Sequence, residues 1–166
     1  LTESVAELRV GEKRAAGAFI DGPGLGRCQG DLPVFPVPLR LIIVDDHPVV
    51  RDGLRGLFAG DSEFDVVAEA ANGREAVALT EVHRPDVVLM DLRMPVLDGV
   101  GATREIVDRR LGARVLIVTT YDTESDVLPA IEAGAIGYLL KDTPRDELRR
   151  AVKAAALGES VLSPPV

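Results

Sequence analysis

The chain is short of cysteine, of aromatics and of long apolar runs. Cys28 is its only cysteine, so no intrachain disulfide and no cysteine-built metal site can form. No apolar run approaches the roughly 18 residues of a membrane span. The first residues carry Glu3 and Glu7 and have no apolar core, so no signal peptide is expected and the setting read from the residues is cytoplasmic, with no membrane partner. Basic charge is also scarce. Lys and Arg number 19 against 27 Asp and Glu, for a net charge of -8. A duplex-binding surface needs a basic face, so no nucleic-acid binding is expected of these 166 residues themselves.

What is present is 46% apolar and 28% charged, a balance usual for a soluble globular protein, and 166 residues suffice for one ordinary domain plus an appendage. Residues 1–38 differ from the rest and read as an N-terminal extension, with a weak helical stretch near Ser4 to Ala16. Gly22-Pro23-Gly24-Leu25-Gly26 does not make a phosphate loop. Arg27 and Gln29 occupy the place of a third glycine, and no strand precedes the run.

From Leu39 strands and helices alternate. Leu39 to Val44 is a first strand ending at Asp45-Asp46, and Pro48 suits the first turn of a helix carrying Val49, Val50, Leu54, Leu57 and Phe58. Phe64 to Ala71 is a second strand, and Asn72-Gly73 opens a helix that Arg84-Pro85 closes. Asp86 to Met90 is a third strand, and its four apolar residues Val87 to Met90 are a run of the kind buried on both faces. It runs into Asp91, and Gly99 to about Arg109 is the next helix. Arg114 to Val118 ends at Thr119-Thr120, and a helix follows from Glu124 to Ala133 with Gly134 as its stop. Ile136 to Leu140 ends at Lys141. Thr143 is expected to cap the last helix, with Pro144 in its first position and Gly158 at its end. Residues 159–166, with Ser163-Pro164-Pro165, read as the start of a linker to an output domain further on.

Five βα units imply an α/β protein with a parallel five-stranded sheet between two helical layers. By analogy with other flavodoxin-like folds, this (βα)5 sandwich takes the strand order 2-1-3-4-5. Asp45, Asp46, Asp91, Thr119 and Lys141 then all fall at carboxyl ends of neighbouring strands, where such sheets place their ligands. Three clustered carboxylates repel one another unless paired. Mg²⁺ is their natural counterion, a hard cation that takes few carboxylates and keeps several waters. A lysine and a hydroxyl beside them suit a phosphoryl group.

Asp45-Asp46, Asp91 with Met94-Pro95 and Asp98-Gly99, then Thr119, Tyr138 and Lys141 together resemble the receiver domain of bacterial two-component response regulators. The likeness covers about Leu39 to Gly158. The run from Val44 to Leu54 and Gly137-Tyr138-Leu139-Leu140-Lys141-Asp142 resemble the NarL/FixJ branch, whose members carry a LuxR-type helix-turn-helix. The resemblance implies that Asp91 is the phosphoacceptor. It implies a Mg²⁺ site of Asp46, Asp91 and the backbone carbonyl of Arg93, with Asp45 helping through water. Thr119 would bond the phosphoryl group, Lys141 would pair with it and Tyr138 would be the aromatic switch. The expected partners are a sensor histidine kinase and, on phosphorylation, a second copy; DNA belongs to the full-length parent. Two positions depart from the commonest pattern: Asp142 replaces a frequent proline, and Thr120 a frequent Ala or Gly.

The implied activity is self-phosphorylation, not enzymatic turnover. An aspartyl phosphatase or phosphotransferase of the haloacid dehalogenase type needs a second Asp two residues past its nucleophile, and Arg93 stands there. A flavodoxin-like cofactor binder would meet a carboxylate-rich pocket without aromatic stacking partners. His47 reads as a helix-start residue, because oxygen ligands suit Mg²⁺ better. His83 reads as a solvated helix end, and the acids from Asp122 to Asp126 as a negative helix N-terminus.

Overall fold

The computed structural model describes residues 37–120 and 124–162, without the side chains of 124–126 and 162. The stretch from Ser4 to Ala16, the glycines from Gly22 to Gly26, Cys28 and the acidic side chains from Asp122 to Asp126 lie outside the described residues. All the elements below belong to the unit Leu39–Val166.

Strand β1 (Leu39–Val44) leads to α1 (Pro48–Phe58), β2 (Phe64–Ala70) to α2 (Gly73–His83), and β3 (Val87–Met90) to α3 (Gly99–Asp108). Then β4 (Arg114–Thr119) leads to α4 (Glu124–Ala133) and β5 (Gly137–Leu140) to α5 (Arg145–Ala156). The five strands pair in parallel in the expected order, β2-β1-β3-β4-β5.

Alternate residues of the central strands supply two cores. Ile42, Val44, Val88, Met90, Ile117 and Tyr138 face one way and pack with Ala76 and Val77 of α2, Ile106 of α3 and Ala130 of α4. Leu41, Ile43, Leu89 and Leu116 alternate with them and are equally buried, on the face where α1 contacts β1 and α5 contacts β3 and β4. Burying each such aliphatic side chain contributes about 1.5–3 kcal/mol against the entropy of ordering the chain. Strands buried on both faces are what an unbroken apolar run encodes.

Local chemistry sets the helix starts. Asn72 accepts from the Glu75 amide at 2.9 Å, while the Glu75 carboxylate accepts from the Ala71 amide at 2.9 Å. These reciprocal bonds form a capping box on α2. His47 is the N-cap of α1, without a side-chain capping bond. In α1 the inward stripe is Phe58, which is buried, with Val50, Leu54 and Leu57 half-buried; Val49, one position before it, is 82% exposed.

Two expectations need correction. Thr143 does not cap α5: its hydroxyl donates backward to the Leu140 carbonyl at 2.6 Å, and Pro144 is the N-cap. With the hydroxyl committed to the preceding strand, the helix begins one residue later. The stretch read as opening a linker also contributes a sixth strand, β6 (Val161–Leu162), parallel to β5 at the sheet edge. Gly158 turns the chain back at φ 85°, and the Val161 amide donates to the Ile136 carbonyl at 3.2 Å. Gly137 makes room for it: a Cβ there would lie 1.7 Å from the Val161 carbonyl oxygen.

Candidate active site

The carboxyl ends of β1, β3 and β5 meet at three acids and a lysine. Parallel pairing puts Val44 opposite Met90, so Asp45 and Asp91 leave the sheet side by side. The Asp45 amide donates to Ala70 at 3.1 Å and the Asp91 amide to Val44 at 3.0 Å, continuing the ladders past the strand ends. Both side chains are buried; Asp45 is 1% exposed and Asp91 4%.

Lys141 comes across from the end of β5, where its amide donates to the Thr119 carbonyl at 2.9 Å. Its Nζ lies 2.6 Å from Asp45 Oδ2 and 3.3 Å from Asp91 Oδ2. Asp91 Oδ1 accepts from the Leu92 amide at 2.8 Å. Asp46 sits at the mouth, its side chain 29% exposed. One ligand atom from each of Asp45, Asp46, His47 and Asp91 can be chosen so that all lie within 4.8 Å of one another.

Three carboxylates therefore face one ammonium. Burial, with the Asp45 charge beside it, holds the Asp91 carboxyl above its usual range; Lys141 opposes this only in part. Burial pulls the Lys141 ammonium downward, but its bond to Asp45 and the charges of both acids outweigh that and raise it. A pocket this short of positive charge, lined by oxygens at such spacing, fits a hard divalent cation.

Thr119 is the last residue of β4, fully buried, and pairs in register with Leu140 just before the lysine. Tyr138 is fully buried in the core beneath α3 and α4, so the ring stands inside. Arg93, two residues past Asp91, has an exposed side chain on the β3–α3 loop. That loop is held down by glycine. A Cβ on Gly99 would lie 2.2 Å from the Asp91 carbonyl oxygen, and its amide donates to Leu92 at 2.8 Å. Asp98 caps α3 by accepting from the Gly101 amide at 2.8 Å. The Asp-Gly pair thus starts a helix and lets it press against the strand end.

Two neighbours of the site were not legible in the sequence. Arg51 donates to the Asp45 carbonyl at 2.6 Å from one turn into α1. His47, read only as a helix start, places Nδ1 3.2 Å from Asp45 Oδ1 and 3.1 Å from Asp46 Oδ1. His83 stays at the end of α2, away from these acids.

The response regulator receiver domain family matches the chain over residues 41–153. The transcriptional regulatory protein DegU of Brevibacillus brevis is 41% identical over 128 residues, which are 77% of this chain and 54% of that protein. The DNA-binding transcriptional activator DevR/DosR of Mycobacterium tuberculosis is 44% identical over 124 residues, 75% of this chain and 57% of that protein. A LuxR-family two-component response regulator structure from an Aurantimonas species superposes with a TM-score of 0.72 at 41% identity, covering 77% of this chain and 91% of that one. The chain spans about half the length of these two regulators. Among the described residues no helix is long and apolar enough to cross a membrane. The chain belongs to the response regulator receiver domain family, in its LuxR-type branch.

Proposed function

We propose that Asp91 is the phosphoacceptor of this receiver. One Asp91 carboxylate oxygen attacks the phosphorus of a phosphohistidine on a sensor kinase; the O–P bond forms, the N–P bond breaks and the imidazole leaves with its electron pair. The observation that carries this reading is the convergence of Asp91, Asp45 and Lys141 from three strand ends. A carboxylate raised above its usual range by burial and by a like charge is more basic, and so a better nucleophile. The Lys141 ammonium, 3.3 Å from Asp91, is placed to pair with the charge that phosphorylation adds. Thr119 supplies a hydroxyl from the neighbouring strand.

Asp46, Asp91 and the Arg93 carbonyl, with Asp45 beside them, would hold Mg²⁺. When bound, the ion neutralises phosphoryl charge in the transition state. The protein's own groups do the rest: β3 orients the nucleophile, Gly99 lets α3 close on it, and burial limits water.

The chain is a switch and not a turnover enzyme. Residues 39–158 form the receiver domain, 1–38 an extension before it, and 159–166 lead toward a DNA-binding output domain in a longer parent. Phosphorylation reshapes the face of α4, β5 and α5 around Tyr138, and with it a dimer contact through α5. The partners are a sensor histidine kinase and a second copy, in the cytoplasm. Acetyl phosphate with Mg²⁺ should add one phosphoryl group by intact mass. The same gain in Asp91→Asn, or in EDTA, would sink the assignment.

A further inference from the structure

The imidazole of His47 meets the same acids that would hold the cation. Its Nδ1 lies 3.2 Å from Asp45 Oδ1 and 3.1 Å from Asp46 Oδ1. The placement is fixed through the backbone: the His47 amide donates to Asp45 Oδ1 at 2.8 Å, and Pro48 behind it starts α1. The ring itself stays open to solvent at the mouth, its side chain 66% exposed. Nδ1 is the ring nitrogen that faces these oxygens: it donates to them when it carries the proton, and offers its lone pair to an ion among them when the proton is on Nε2. One atom from each of the four residues fits within 4.8 Å, close enough to share one ion.

An oxygen-only pocket has no means of favouring late transition metals beyond their general affinity order. An imidazole does: it suits Ni²⁺, Zn²⁺ and Cu²⁺ and adds little for Mg²⁺. We propose that His47 is a nitrogen ligand that lets this pocket take a late first-row divalent ion in place of Mg²⁺. The inference rests on the reading of the pocket as a divalent-cation site. Its consequence is selectivity: the pocket keeps a hard-cation set of Asp46 and Asp91 and gains a borderline ligand that acts only when the ion can use it.

The test is calorimetric titration of the full chain, and of His47→Ala and Asp46→Asn, with Mg²⁺ and separately with Ni²⁺. Loss of even an outer-shell partner typically costs about 10–100-fold in metal affinity, so His47→Ala should weaken Ni²⁺ at least about tenfold. Mg²⁺ affinity should change less than about twofold, because water replaces the missing nitrogen at a hard ion. Retained Mg²⁺ binding also shows that the variant is folded. Asp46→Asn should weaken both ions. Zn²⁺ should move the His47 ring Cε1–H resonance to saturation while Mg²⁺ does not, and His83→Ala should leave that behaviour intact.

Equal Ni²⁺ affinity in the chain and in His47→Ala would overturn the inference while leaving the Mg²⁺ pocket standing. Ni²⁺ binding lost in His47→Ala but untouched in Asp46→Asn would put the ion outside the pocket, and would overturn it too. Failure of Mg²⁺ to bind, with His47-dependent Ni²⁺ binding preserved, would instead overturn the Mg²⁺ reading and support the nitrogen ligand.

Discussion

The ammonium of Lys141 lies 2.6 Å from Asp45 Oδ2, closer than the 3.3 Å that separates it from Asp91. The lysine is thus partly committed to the carboxylate beside Asp91. Asp91 is left with an incomplete counter-charge, which agrees with the raised position of its carboxyl. Asp91 and its counter-ion are coupled through Asp45.

Asp91→Asn should stabilise the domain. A carboxyl raised in the folded state binds its proton more tightly there than in the unfolded chain. Its ionisation therefore costs nothing below the ordinary value of 3.8. The cost grows as pH rises from there through the folded value, and stays at neutral pH. Melting in EDTA should show the variant a few degrees more stable at neutral pH. The gain should shrink as pH falls toward the ordinary carboxylate value. A variant less stable than the parent at neutral pH would contradict the repulsion.

Lys141→Met should destabilise the domain, because Asp45 and Asp91 are left facing each other. Losing a hydrogen bond to a charged group costs about 1.5–3 kcal/mol. Lys141 is raised in the folded state above 10.5, so its contribution is complete below that value and is lost as pH climbs through the folded one. Urea unfolding at neutral pH should show the deficit. It should narrow in alkali, as the parent loses what the variant never had. An unchanged midpoint would mean that the bridge contributes nothing net.

Gly137→Ala should release β6. The added methyl would overlap the Val161 carbonyl, so either β5 shifts or the edge strand leaves. Overpacking of this kind costs about 1–3 kcal/mol. Hydrogen exchange should show the Val161 amide losing protection while amides of β1 and β3 keep theirs. Retained protection at Val161 would show that the edge accommodates a side chain.

Thr119→Ala should still be phosphorylated at Asp91 but should transmit less. On the proposed reading of the site the hydroxyl gains a phosphoryl partner only in the phosphorylated state, and a population shift needs such a differential interaction. Tyr138 already sits inside, so the response should fall on the elements packed over it rather than on the burial of its ring. The α4 helix carries Pro129 in its interior, which removes a backbone bond and makes it the readier element to move. Adding beryllofluoride should shift amides of α4 and β5 in the parent and shift them less in Thr119→Ala. Identical shifts would separate Thr119 from the switch.

The order of elements and the kind of site were legible in the sequence alone. Apolar runs such as Val87 to Met90 encode strands buried on both faces, because only such strands can lack polar alternation. Asp, Thr and Lys at the ends of those runs must leave the sheet at its carboxyl edge, because parallel strands all end there. What sequence spacing cannot encode is distance between residues far apart in the chain. Whether Lys141 rests on Asp91 or on Asp45, 50 and 96 residues away, was decided by how β1, β3 and β5 stack. The turn of His47 onto Asp45 and Asp46 was set by the hydrogen bond its amide donates to Asp45, which no residue type announces, although the helix start at Pro48 beside it was legible. The sixth strand depended on Gly137 lacking a side chain opposite Val161. Local pattern determines which segments become strands and helices, since propensity and burial act along the chain; which polar atoms end within hydrogen-bonding reach is settled by packing, where shifts of a fraction of an ångström matter.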